Sequence, residues 1–182
     1  MSGLMREVRV VPSQAAWPAR FAAVAAELLP LCGDAFVGIE HIGSTSVPGL
    51  AAKPVIDILL LVRSVEALDP LAARFAALAF EARGEYGIAG RRFFVRETAG
   101  VRSHHVHAFA PGSPDALRHL DLRDYLSAHP EARDAYGALK QDLAARHPRD
   151  IQAYMDGKHA MIRELLEQAA HWRRQSTRFA GA

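Results

Sequence analysis

Asp57 is the residue most in need of a partner. It stands inside Val55 to Val62 (VIDILLLV), an apolar run too short to span a membrane and of the length expected for a buried central strand. A carboxylate there is costly unless it is paired, hydrogen-bonded or bound to a cation. Upstream lies the turn Gly43-Ser44-Thr45-Ser46. A glycine lets backbone approach a phosphate closely, and hydroxyls and N–H groups can hold its oxygens. A carboxylate on the following strand could hold a divalent cation beside that phosphate. This is the logic of metal-assisted phosphoryl or nucleotidyl transfer. It makes Asp57 and Ser44 candidate catalytic residues, and Gly43, Ser44, Thr45 and Ser46 candidate phosphate ligands. A tight turn with capping hydroxyls, and an Asp57 bonded to nearby backbone, would account for the same residues.

A second group is His104-His105-Val106-His107. On a strand, His105 and His107 share one face and His104 takes the other. Two imidazoles on one face can bind a transition metal or meet a phosphate, and they can also be an ordinary exposed face. If this strand neighbours Asp57, then Asp57, His105 and His107 form a candidate metal site. A third group is cationic. Lys53 precedes the Asp57 strand, and Arg92 opens the run RRFFVR. Lys158 interrupts the helical stripe Ile151, Tyr154, Lys158, Ile162, Leu165, Ala169. Long lysines snorkel readily, yet a lysine on an inward stripe can also reach a ligand. We assign Lys53, Arg92 and Lys158 to ligand charge and Arg91 and Lys140 to solvent. His41, two residues before Gly43, is either a ligand contact or a satisfied core histidine. Glu40 is structural, and His119 and the other helical histidines receive no role.

At 182 residues, half of them hydrophobic, the chain reads as a single domain, 1–182, with an ample core. A formal net charge of +2 with scattered arginines argues against nucleic acid as partner. One cysteine, Cys32, excludes an internal disulfide and a cysteine-based zinc site. No signal-peptide pattern and no apolar stretch of spanning length are seen, so the expectation is a cytoplasmic protein without a membrane partner. The sequence sets no oligomeric state.

These groups need elements to hold them. Ser13 is placed to cap a helix over Gln14 to Leu31, closed by Gly33. Ala35 to Ile42 and Val55 to Val62 read as strands. Ser64 would cap a helix carrying Val65, Leu68, Leu71, Phe75 and Leu78 inward. Arg91 to Arg96 and His104 to Ala110 read as a hairpin across Thr98-Ala99-Gly100. Asp115 to His129, Pro130 to about His147 and Asp150 to about Arg173 read as helices, with a flexible tail over about 172–182. The class is α+β, a small mixed sheet packed by helices with a C-terminal helical segment. Neither G-x-G-x-x-G after a strand nor a Walker A motif is present, which excludes a dinucleotide fold and a P-loop kinase.

The string IEHIGSTSVPGLAAKPVIDI resembles the signature of the GrpB family. The likeness continues through RRFFVR, HHVHAF, LRDYLSAHPEARDAYGALKQDLAARHP and AYMDGK, from about Val10 to Leu166. It implies a nucleotidyltransferase-like fold. There a Gly-Ser turn follows the first strand, an acid pair D-x-D or D-x-E lies on the next, and a third acid sits on a later strand. Gly43-Ser44 matches the turn and Asp57 matches one acid. Val55 and Leu59 stand where the second acid would be, and His105-Val106-His107 stands in for the third-acid strand. Two-metal chemistry wants several hard oxygen ligands around magnesium, whereas one aspartate with two histidines suits zinc, manganese or another transition metal. The expected cofactor is thus a divalent metal, transition metal or magnesium, and the expected partner a nucleotide or other phosphorylated small molecule. GrpB-like domains also occur fused behind dephospho-CoA kinase, which implies an alternative role as a non-catalytic accessory module.

Overall fold

Alternation along the Asp57 strand decides the architecture. In strand β2 (Ile56–Val62), Ile56, Ile58, Leu60 and Val62 are fully buried on one face, while Asp57, Leu59 and Leu61 take the other. We describe residues 7–180 of a computed structural model, with side chains as far as position 176. Among them, β1 (Phe36–Ile42), β2, β3 (Phe80–Ala82), β4 (Arg92–Thr98) and β5 (Val101–Phe109) form one sheet in the order β1-β2-β5-β4-β3. The β2–β5 pair is parallel and the others antiparallel. This is the expected α+β class with a mixed sheet. A parallel pair needs a long crossover, and here it is the whole segment between β2 and the β4–β5 hairpin.

The two sheet faces have different tasks. Helices α1 (Trp17–Cys32) and α2 (Ala72–Ala77) cover the apolar face, where Trp17, Val24, Leu28 and Phe75 pack with Ile56, Ile58, Leu60, Phe94 and Val106. Burying each large side chain there contributes about 1.5–3 kcal/mol. The opposite face meets α3 (Pro114–Ala128), α4 (Pro130–Arg146) and α5 (Ile151–Ala180). Leu59 packs there with Ile42, Phe109 and Ala116. A separate cluster of Val47, Leu50, Leu126, Tyr136 and Leu165 ties the turn after β1 to the helices. The site lies between this face and those helices.

Several boundaries differ from the sequence reading. Ser13 caps nothing: α1 begins at Trp17 without a side-chain cap, and Ser13 Oγ accepts the Gly49 N–H at 3.2 Å. The helix after Ser64 is broken. A 3₁₀ segment, Val65–Leu71, contains Pro70, and α2 begins only beyond it. The Ser64 hydroxyl donates to the Glu66 carboxylate instead of capping. The short strand β3 went unread, and α5 continues past Arg173 to Ala180. Positions 181 and 182 of the expected tail lie outside the described residues.

The β4–β5 hairpin turns through Ala99 and Gly100, both at positive φ (50° and 79°), with Thr98 opposite Val101. This two-residue turn matches the right-handed strand twist and favours Asn-Gly. Ala99 therefore carries a left-handed backbone cost. Ala99→Asn should raise stability by about 1 kcal/mol, read as a higher urea midpoint. An unchanged or lower midpoint would refute this account of the turn.

Candidate functional site

The parallel register of β2 and β5 builds the centre of the site. Asp57 lies opposite His105, and Leu59 opposite His107, so Asp57 and both imidazoles project from one face. His105 Nδ1 is 2.9 Å from Asp57 Oδ1, and His107 Nε2 is 3.6 Å from the same oxygen. Candidate ligand atoms of these three residues all lie within 4.8 Å of one another. His104 points the other way, bonded to Ser103 and edge-on to Phe80. Burial alone would raise the Asp57 carboxyl, but hydrogen bonds and charge from His105 and His107 hold it well below the usual carboxylate range. Burial also lowers His107, against the pull of Asp57. The centre is a carboxylate facing two imidazoles, a donor set that fits a transition metal. His105 Nε2 is buried with no hydrogen-bond partner among the described residues.

Gly43 makes room for this centre. Its φ of +70° and ψ of −174° suit glycine alone, and a Cβ there would lie 2.5 Å from Asp57 Oδ2. The turn that follows is divided in its roles. Thr45 Oγ1 donates to the Val55 carbonyl and accordingly accepts from His41 Nε2–H at 2.9 Å. Ser46 donates back to the Gly43 carbonyl at 2.6 Å. Ser44 Oγ is 2.9 Å from Lys140 Nζ, which donates to it when protonated.

A cavity of about 360 Å³ opens over these groups. Gly43, Ser44, Thr45, Asp57, His105 and His107 line it, and so do Lys53, Lys140 and Lys158. Three lysines face a single carboxylate. Lys53 and Lys158 lie over the Tyr154 ring at 5.4 and 5.1 Å, and Lys140 over the Tyr136 ring at 4.4 Å. Burial, then the charges of Lys158 and Lys53, push Lys140 down to about 7; burial and Lys53 push Lys158 to about 8.

Of the expected ligand residues, three fall outside the cavity lining. His41 stacks on Phe21 with ring centroids 4.9 Å apart, and burial lowers it to about 4, so it is a neutral histidine that orients Thr45. Ser46 is turned into its own loop. Arg92 forms a bidentate pair with Asp69 at 2.6 and 2.9 Å and faces away. Its neighbour Arg91, assigned to solvent, is buried instead. Its guanidinium donates to the Glu85 and Tyr86 carbonyls and faces His107 Nδ1 at 3.4 Å. Lys140, also assigned to solvent, is only 2 % exposed. Its position four residues after Tyr136 places both on the inner stripe of α4, a signal the sequence carried. His119, given no role, lines the cavity with its ring 5.0 Å from that of His107. Glu40 pairs with Arg123, a structural role as expected.

Stability should follow these groups. The folded values of Lys140 and Lys158 lie below the ordinary 10.5. Between about 7 and 10.5 the unfolded chain therefore binds more protons, and stability rises with pH. His41, His104 and His119, all lowered to about 4, add a rise of the same sign between about 4 and 6.5. The urea midpoint of the ligand-free protein should climb from pH 7 to 9, and Lys140→Met should flatten that climb. A wild-type midpoint that is level or falls over this range would contradict the burial of these lysines.

The family described as "GrpB protein" matches residues 7–168. The UPF0157 protein YqkA of Bacillus subtilis (strain 168) is 41% identical over 93% of this chain, which spans only 49% of that protein's length. A dephospho-CoA kinase of Mycolicibacterium paratuberculosis is 30% identical over 91% of the chain and is covered over 46% of its own length. Among solved structures, the conserved protein GrpB from Enterococcus faecalis superposes with a TM-score of 0.86 at 39% identity, covering 90% of this chain and 99% of that one. Terminal uridylyl transferase 4 from Trypanosoma brucei with bound CTP gives a TM-score of 0.46 at 18% identity, a likeness too slight to carry an argument. Among the described residues, no helix is long and apolar enough to cross a membrane.

Proposed function

The chain belongs to the GrpB family, and we propose that its cavity binds a nucleotide or another phosphorylated small molecule together with a divalent cation. One observation carries this reading: three lysines converge on a cavity that holds one carboxylate and two imidazoles. A polyanionic ligand offsets the repulsion among the lysines, and the Gly43–Ser44 turn offers it close backbone approach. Asp57, His105 and His107 would hold the cation, which would supply positive charge against phosphate oxygens. Such a ligand makes the cytoplasm the place of action.

Thermal unfolding with and without ATP and manganese tests this. At a hundredfold over its dissociation constant, a ligand adds about 2.7 kcal/mol of stability. The expected shift requires both components and is lost in a Lys53→Ala/Lys158→Ala double variant. No shift with ATP, CoA precursors or other phosphorylated compounds would remove the reading.

Leu59 favours a second reading, in which the ligand is held without metal-assisted transfer. With Val55 it is one of the two positions at which the resembled pattern would carry its second acid, and it is fully buried and packs in an apolar cluster. A carboxylate there would be costly. The sequence shared with proteins named dephospho-CoA kinase is consistent with such an accessory module. Binding of ATP with no release of pyrophosphate or ADP would favour it over nucleotidyl or phosphoryl transfer.

A further inference from the structure

Ser44 and Lys140 make a contact that ligand binding alone does not require. Lys140 Nζ lies 2.9 Å from Ser44 Oγ, and the lysine is shut between α4 and the turn with only 2 % of its surface exposed. The Tyr136 ring lies against the same ammonium, its centroid 4.4 Å from Nζ. Lys140 lines the cavity with Lys53 and Lys158, and its ammonium is on the Ser44 hydroxyl. Nucleophile and base within hydrogen-bond reach, with a third group orienting them, is the geometry of an activated serine.

We propose that Ser44 and Lys140 form a nucleophile–base dyad that takes a phosphoryl or nucleotidyl group from a phosphoanhydride onto Ser44. The inference rests on reading the cavity as a phosphate-ligand site. Neutral Lys140 Nζ accepts the Ser44 hydroxyl proton as Oγ attacks phosphorus. An Oγ–P bond forms and the bridging P–O bond breaks, its electron pair leaving with the departing phosphate group. Lys140 is left as an ammonium, and nothing is oxidised or reduced. The charged groups that act on Lys140 are Lys158 from α5, Lys53 before β2 and Asp57 on β2, with the Tyr136 ring of its own helix against the ammonium and Tyr154 of α5 lining the same cavity. In the ligand-free site, burial and the two lysines favour its neutral form, bringing it to about 7. This chemistry asks for no second carboxylate, so Leu59 does not obstruct it.

The test incubates the full chain with manganese and ATP labelled at either the α- or the γ-phosphate. Peptide mapping locates any adduct, and thermal shift reads binding in the same samples. The expected result is one adduct on Ser44, absent in Ser44→Ala, forming faster as pH rises through neutrality. It should form about a hundredfold more slowly in Lys140→Met. Lys140→Arg, which keeps the charge but does not deprotonate, should show the same loss, with circular dichroism confirming that both variants fold. The labelled position that is retained tells nucleotidyl from phosphoryl transfer. A thermal shift without an adduct overturns the dyad and leaves the binding site standing; neither shift nor adduct overturns both. An adduct elsewhere, or one that Lys140→Met forms at the wild-type rate, also overturns the dyad.

Discussion

Asp57→Asn should abolish cation-dependent ligand binding while leaving the protein folded. The carboxylate is the one anionic group among the residues lining the cavity, so its loss removes the only charged ligand a divalent cation meets. We expect manganese affinity, measured by calorimetry in the presence of ATP, to fall about a hundredfold or more, equivalent to roughly 2.7 kcal/mol. Asparagine keeps a carbonyl oxygen that accepts from His105 Nδ1, so the main hydrogen bond of the cluster survives. Unchanged manganese affinity in Asp57→Asn would take Asp57 out of the site.

Gly43→Ala should damage fold and site together. The backbone conformation at Gly43 costs about 1–3 kcal/mol for any other residue. The added Cβ would also sit within 3.0 Å of the Asp57 carboxylate carbon, and Asp57 has to move. Overpacking of this kind costs a further 1–3 kcal/mol or so. We expect a loss of about 2–6 kcal/mol in urea unfolding and manganese binding as poor as in Asp57→Asn. Gly112→Ala separates the two causes. Gly112 has a similar φ of +76°, yet nothing lies within 4 Å of its prospective Cβ. That variant should lose stability but bind manganese normally. If Gly43→Ala binds manganese as well as Gly112→Ala does, the close approach to Asp57 has no functional consequence.

Four of the five strands were legible as short apolar, β-branched or aromatic runs, and the two-residue period of any strand set His105 and His107 on one face. What the sequence left open was the neighbour of β5. Asp57 and His105 are brought together by a parallel pairing across a long crossover, and no local pattern encodes such a pairing. Arg91 and Arg92 show the same gap at finer scale. Adjacent residues point to opposite sides, and the sequence does not tell which side meets the site: Arg92, assigned to the ligand, pairs with Asp69, while Arg91, assigned to solvent, is buried beside His107. His119 was overlooked because the side of α3 that meets the sheet depends on packing among α3, α4 and α5. Lys140 was missed for another reason. Its spacing from Tyr136 and Leu143 marked an inward position, but the usual preference of lysine for solvent overrode the pattern.

Lys140 and Lys158 repel each other and Lys53 across a site that an anion can neutralise. Whatever anion binds there is then a structural component as well as a ligand. Proteases act on the opened form of a protein in proportion to its population. If the proposed phosphorylated ligand binds there, the lifetime of this chain in a cell should lengthen when that ligand is plentiful and shorten when it is scarce.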